Sequence, residues 1–232
     1  MESSPSGHIQ PMGDSAFVVR FGEIISPEIH ARVVGALRAL DAARKRWVVD
    51  LVPGYASVMV IYDAVRTTPE EVCEWLAEIL PTAQPEPPRR RVIEVPVWYH
   101  PSVGWDLEPL ARDNGLTVEE LIALHTEPEY LVYMLGFRPG FPFLGGLNPK
   151  LFSPRWTTPR VSVPAGSVGI GGQQTGIYPV KSPGGWKLLG RTPIKLFCLE
   201  EDPPFALDVG DRVRFVSITQ EKYLSLGGKE PV

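Results

Sequence analysis

Between Tyr130 and Leu199 the chain carries eight cations (Arg138, Lys150, Arg155, Arg160, Lys181, Lys187, Arg191 and Lys195) and no aspartate or glutamate. Arginine grips carboxylates and phosphates through parallel N–H groups, so this stretch suits the binding of an anion. Arg138, Arg155 and Arg160 are the candidate anion-binding residues, with Gln173, Gln174, Thr175, Tyr178 and Lys181 as polar contacts. The same cations would also fit solvated barrel faces, paired with acids elsewhere. His125 is the candidate acid–base group, because its charge can switch near neutral pH. Its place on an apolar helix face equally suits a hydrogen-bonded packing residue. With no carboxylate inside the stretch, a water-activating base must come from elsewhere in this chain or from another one.

Several familiar motifs are excluded. Gly166-Ser-Val-Gly-Ile-Gly-Gly172 lacks the Gly-Lys-Ser/Thr of a Walker loop. Gln174 stands where a dinucleotide fingerprint needs glycine, and no helical pattern follows to supply an anion-binding N-terminus. An anion nest of backbone N–H groups is still compatible with the run. Ala165-Gly-Ser-Val-Gly169 is similar to a nucleophile elbow, but no histidine follows His125 to complete a triad. His8, His30 and His100 lack companions, and neither paired-cysteine nor HExxH spacing occurs, so no metal site is expected.

The elements that must position these residues fall into two parts. Ala16–Phe21 reads as a strand, Ser26-Pro-Glu28 opens a helix, and Trp47–Val52 and Ala56–Tyr62 flank a Pro53-Gly54 turn. Thr68-Pro-Glu-Glu71 is a capping box that starts a second helix. This β-α-β-β-α order predicts a small α/β domain over residues 1–80. A proline-rich linker follows over 81–91, and the charge balance shifts there, from −5 over residues 1–88 to +1 over 89–232. Beyond it, Val92–Tyr99 is an alternating strand. Leu107–Asp113 reads as a short helix stopped by Asn114-Gly115, and Thr117-Val-Glu-Glu120 caps another. Short strands over 130–135, 161–163, 167–170, 194–199 and 212–218, separated by glycine and proline, predict a closed or nearly closed β barrel over 92–220. A tail covers 221–232.

Composition bounds the rest. Of 232 residues, 22 are glycine and 25 proline, which disfavours long helices. The net charge of −4 argues against a nucleic-acid binder on global electrostatics. No apolar run is long enough to span a membrane, and Met1–Gly13 has no apolar signal core, so a cytoplasmic protein is expected. Cys73 and Cys198 are isolated and read as buried, reduced thiols.

The long signature blocks carry a resemblance. They are Gly136-Phe-Arg-Pro-Gly-Phe-Pro-Phe-Leu-Gly-Gly-Leu147, Pro154-Arg155, Pro159-Arg160, Val163-Pro-Ala-Gly-Ser-Val-Gly-Ile-Gly-Gly-Gln-Gln-Thr-Gly-Ile-Tyr-Pro179 and Ser182-Pro-Gly-Gly-Trp-Lys-Leu-Leu-Gly-Arg-Thr-Pro193. With Pro11–Ala16, Leu124–Thr126 and Val209–Phe215, the chain resembles the allophanate hydrolase subunit 1 family. That family includes 5-oxoprolinase B subunits and the sporulation kinase inhibitor KipI. Gly104-Trp-Asp-Leu107 departs from the family's Gly-Pro-Asp-Leu. The resemblance implies an α+β N-terminal domain followed by a cyclophilin-like β barrel. It also implies a heteromer with the C and A subunits of 5-oxoprolinase that opens 5-oxoproline to glutamate with ATP as co-substrate. The carboxylate-free stretch adds the expectation that this chain is inactive alone. Two other roles share these blocks. One is inhibition of a sensor histidine kinase with Phe137, Phe141 and Phe143 as interface anchors; the other is a carboxyltransferase-like or allophanate hydrolase component of urea metabolism.

Overall fold

The computed structural model describes residues 7–87, 89 and 91–230. Residues 1–6 of the polar N-terminal stretch, Pro88 and Arg90 of the expected linker, and 231–232 of the expected tail lie outside the described residues. The chain divides into two compact units, Met1–Pro88 and Arg89–Val232.

The first unit contains β1 (His8–Pro11), β2 (Ala16–Arg20), α1 (Pro27–Ala42), β3 (Val48–Pro53), β4 (Ser57–Tyr62) and α2 (Pro69–Ile79). The strands form an antiparallel sheet in the order β1-β2-β4-β3. Alternation along β4 buries Val58, Val60 and Tyr62, which pack with Val33, Ala36 and Leu40 of α1 and Val72, Trp75 and Leu76 of α2. Both helix starts have the expected chemistry: Ser26 Oγ accepts from Ile29 N–H, and Thr68 with Glu71 forms a complete capping box. Strand β1 was not expected, because it is short, mostly exposed and has no apolar alternation. After a 3-10 turn at Leu80–Thr82 the proline-rich segment runs along α1. There Glu86 N–H donates to Ala31 O at 2.8 Å, and the Gln84 carbonyl crosses so close to Gly35 that any side chain would collide with it.

The second unit contains β5 (Val92–Val97), α3 (Leu107–Asp113), α4 (Val118–Thr126), β6 (Tyr130–Leu135), β7 (Pro142–Gly145), β8 (Arg160–Val163), β9 (Ser167–Gly171), β10 (Gln174–Ile177), β11 (Ser182–Gly184), β12 (Lys187–Arg191), β13 (Arg212–Ser217) and α5 (Gln220–Ser225). Seven strands form one sheet in the order β12-β9-β10-β7-β6-β13-β5, and β8 and β11 form a separate ribbon. The seven-stranded sheet is nearly closed. Its two end strands meet at a single bridge, where Trp98 N–H donates to Arg191 O at 2.9 Å and Arg191 N–H to Trp98 O at 3.0 Å. The first and last strands of the barrel, β5 and β13, pair in parallel from Val92↔Arg212 to Val97↔Ser217. The core inside holds Val95, Val132, Leu144, Val168, Ile170, Ile177, Leu189 and Phe215, together with α3 and α4 residues.

Three local expectations are corrected. Residues 194–199 do not form a strand: Leu196 is buried, but the segment makes one isolated bridge, Phe197 with Phe205. The expected tail begins inside α5, whose Tyr223 is buried against Trp98 with ring centroids 5.4 Å apart. Cys73 and Cys198 are free but only half-buried. Among the described residues no helix is long and apolar enough to cross a membrane.

Candidate functional site

The glycine-rich run is a strand, not a phosphate loop. Every residue of β9 is buried, Ser167 included, so neither an anion nest nor a nucleophile elbow forms there. The alternating glycines instead make a bed for the Trp186 indole. A methyl group at Gly171 would lie 2.6 Å from that ring, and one at Gly176 would lie 2.9 Å from it.

A cleft of about 840 Å³ opens beside the start of β9 and the end of β12. One wall is the turn at Ala165-Gly166, where Gly166 adopts φ of 80° and a methyl would collide with the Thr192 carbonyl. The others are the Arg191–Leu199 segment, Trp105, Lys181 and the residues flanking Tyr223. Four cations line it (Lys181, Arg191, Lys195 and Lys229) against two carboxylates, Glu200 and Glu230. The Cys198 thiol donates to Glu200 Oε2 at 3.1 Å. That bond raises the thiol pKa and lowers that of Glu200, leaving a weak nucleophile beside a weak base.

Trp105 joins the cleft to a wall of stacked aromatic and cationic side chains. Arg160 lies 5.6 Å from the ring centroids of both Trp105 and Trp156, Arg155 lies 5.6 Å over Trp186, and the Lys187 ammonium sits 2.9 Å from the Trp156 centroid. Arg160 is fixed by Asp106, which is 2% exposed: Arg160 Nη2 donates to Oδ1 at 2.7 Å while Leu188 N–H donates to Oδ2 at 2.7 Å. Tyr178 is buried beside them. Burial raises its phenol pKa, opposed by a backbone hydrogen bond from Trp186 and the charges of Arg155 and Arg160. Among the described residues, Arg160 is the only one of the eight cations to make a direct ion pair.

The other expected residues lie elsewhere. His125 is 0% exposed and stacked on Phe215 with centroids 4.6 Å apart. Thr175 Oγ1 donates its only proton to Gly169 O at 3.0 Å, so it accepts from His125 Nε2–H at 2.9 Å. Nδ1 is then the acceptor of the Tyr99 hydroxyl at 2.7 Å. This directed chain holds a neutral imidazole, and burial lowers its pKa from 6.5 to about 3. Neither nitrogen reaches the surface. Arg138 is exposed on the β6–β7 turn beside Phe137, and Gln173 is exposed, whereas Gln174 is buried with Nε2 unpaired. Of the three phenylalanines, Phe137 is 59% exposed at φ 63°, Phe141 is buried and Phe143 half-buried. The structure thus groups Arg155, Arg160 and Tyr178, joins Arg138 to them through Phe137, whose ring centroid lies 6.5 Å from that of Tyr178, places Lys181 in the adjoining cleft, leaves Gln173 exposed and seals His125 in the core. Asp106, the three tryptophans and the place of Arg191 on the cleft were not apparent from spacing. The one local hint was Trp105, at the position where the signature departs from proline.

No group of three or more His, Cys, Asp or Glu side chains among the described residues could hold a metal ion. A family model described as carboxyltransferase domain, subdomain C and D, matches residues 7–207. The 5-oxoprolinase B subunit of Bacillus subtilis (strain 168) is 42% identical over 229 residues, covering 93% of this chain and 94% of that protein. The crystal structure of TTHA0988 superposes with a TM-score of 0.78 at 41% identity, over 88% of this chain and 40% of that one, so the chain spans less than half of that protein. The K. lactis urea amidolyase shares the fold at a TM-score of 0.80 and 20% identity, over 97% of this chain and 16% of that one. With one family model spanning most of its length and a relative this similar almost from end to end, the chain belongs to the carboxyltransferase subdomain C and D family, in its branch of 5-oxoprolinase B subunits.

Proposed function

We propose that this chain is the B subunit of an ATP-dependent 5-oxoprolinase, which opens the lactam of 5-oxoproline to L-glutamate. The observation that carries the reading is the near end-to-end match to the B subunit of a bacterial 5-oxoprolinase. The chemistry of the cleft supports it. A lactam is resonance-stabilised, and on this reading phosphoryl transfer from ATP activates its oxygen before water attacks. Both 5-oxoproline and ATP are anions, and a cleft with four cations to two carboxylates favours them. Lys181 on the cleft and Arg155 and Arg160 on the adjoining wall serve this ligand, with Tyr178 and Gln174 buried behind them and Thr175 committed to the His125 chain. Arg138 and Gln173, both exposed, serve the contact with a partner chain.

The reading also assigns what this chain does not supply. Glu200 has a lowered pKa and is occupied by the Cys198 thiol, and His125 is sealed in the core. Glu230 is the remaining carboxylate of the cleft; this reading assigns the base that activates water to the C and A subunits, with this chain inactive alone. On this reading the nearly closed barrel is cyclophilin-like, preceded by the small α/β domain and followed by the segment after residue 220. The test is 5-oxoproline-dependent ATP hydrolysis by a reconstituted complex with and without this chain. Activity is expected to fall to background on omission; full activity without the chain overturns the assignment.

A further inference from the structure

We propose that Arg191 anchors an oxyanion-binding site in the cleft, taking a small organic molecule through a carboxylate or phosphate group. Arg191 is 8% exposed, its Nε is buried without a hydrogen-bond partner, and no carboxylate pairs with it among the described residues. A buried guanidinium without a counter-charge is costly, and folded proteins ordinarily pair such groups. The molecule does so elsewhere, where Arg160 is matched to Asp106. Arg191 is left open on the wall of the cleft instead.

Its position is fixed independently of any ligand. The backbone of Arg191 makes both hydrogen bonds that bring the barrel ends together at Trp98, and on its other side it pairs with Ser167 of β9. Paired residues of an antiparallel ladder share one face of the sheet. The Ser167 hydroxyl is also buried and without a partner among the described residues. Two unpaired polar groups thus sit across one ladder at the edge of the cleft. Lys181, Lys195 and Lys229 add charge against two carboxylates, Glu230 and Glu200, of which Glu200 is already bonded to Cys198. Trp105 and Phe197 supply apolar surface that an inorganic ion alone would not need. The planar fork of arginine accommodates either a carboxylate or a phosphoryl group. The inference stands on the cleft and holds whichever reaction the assembled enzyme performs.

The test is calorimetric titration of the full chain with four probes: acetate and L-5-oxoproline for the carboxylate arm, inorganic phosphate and ATP for the phosphate arm. Saturable binding is expected in at least one arm, and the arm that binds identifies the source of the oxyanion. Arg191→Met should weaken that binding at least about tenfold, the loss of a charge-assisted, two-pronged contact. Lys195→Ala should weaken it by about threefold, as removal of a nearby exposed charge does. Urea unfolding of each variant verifies the fold. If Arg191→Met does not fold, Arg191→Lys keeps the charge without the fork and should still weaken the probe. The proposal is overturned if no probe binds below about 10 mM, or if the folded Arg191 variant binds as tightly as the parent chain. Because the readout is binding by this chain alone, its outcome is separate from that of the complex-activity assay.

Discussion

The barrel unit buries polar side chains in two contrasting ways. Around His125 every proton has a destination: Tyr99 donates to the imidazole, the imidazole to Thr175, and Thr175 to the Gly169 carbonyl. At the seam between the barrel ends, the Arg191 Nε and the Ser167 hydroxyl are equally shielded and have no hydrogen-bond partner among the described residues. A completed chain of hydrogen bonds holds a core in one arrangement and has no capacity left for a ligand. Unpaired groups at the edge of a cleft weaken the folded state slightly and keep that capacity. The first pattern therefore marks a residue that specifies the fold, and the second one reserved for recognition. Asp106 belongs with the first: both its oxygens are engaged, although the arginine it holds faces the aromatic wall.

Substitutions should separate the two patterns. The largest effect is expected for Asp106→Ala, which strands the Arg160 charge and the Leu188 N–H; the loss is about 3 kcal/mol, reduced from the fully buried case because Arg160 is partly solvated. Chemical denaturation measures it, and an unchanged urea midpoint would remove Asp106 from the structural class. His125→Leu leaves the Tyr99 hydroxyl without its acceptor and should cost about 2 kcal/mol at neutral pH. The imidazole also sets an acid response. Its folded pKa of about 3 lies below the ordinary 6.5, so between those values the unfolded chain binds a proton that the folded chain refuses. Stability is thus intact above pH 6.5 and falls as the pH drops toward 3, by about 2 kcal/mol at pH 5 from this group. Denaturation midpoints at pH 7.5 and pH 5 test this, and the His125→Leu chain should show a shallower decline. The smallest effect is expected for Arg191→Met, whose stability should stay within about 1 kcal/mol of the parent, since the lost charge had no partner. A loss as large as that of Asp106→Ala would erase the contrast.

How far the sequence disclosed this depends on the range of the forces involved. The capping boxes at Thr68 and Thr117 were legible because every atom in them lies within four residues. Helix stripes and the strands β2, β4, β6 and β13 followed from their own periodicity. Strands β7, β10 and β12 did not, because Pro142, Gly176 and Gly190 interrupt the β pattern. The two glycines are explained by distant residues: Trp186 lies against Gly176 and the Trp98 carbonyl against Gly190. The cation-rich stretch was visible as composition, and it does supply most of the cationic side chains of the cleft and its wall. Composition could not tell which cation is matched. Asp106 is 54 residues from Arg160 in sequence, and Arg191 is recognised by the absence of any such partner. His125 showed the same limit, since its helix face fitted both a catalytic and a packing role until Tyr99 and Thr175 were in place.

The pairing of β5 with β13 has a consequence for how the molecule is made. Val92 leaves the ribosome early in the second unit, but its register partner Arg212 is among the last barrel residues to be synthesised. Until then β5 offers an unpaired edge and the sheet has one strand too few. Contacts of such wide sequence separation close slowly, and an open strand edge in a nascent chain is a site for wrong pairing. The first unit has no such dependence, because its sheet is complete once β4 has emerged. Truncation before Arg212 should therefore leave the second unit as a chaperone client, while the four-stranded unit ahead of it has everything it needs to fold.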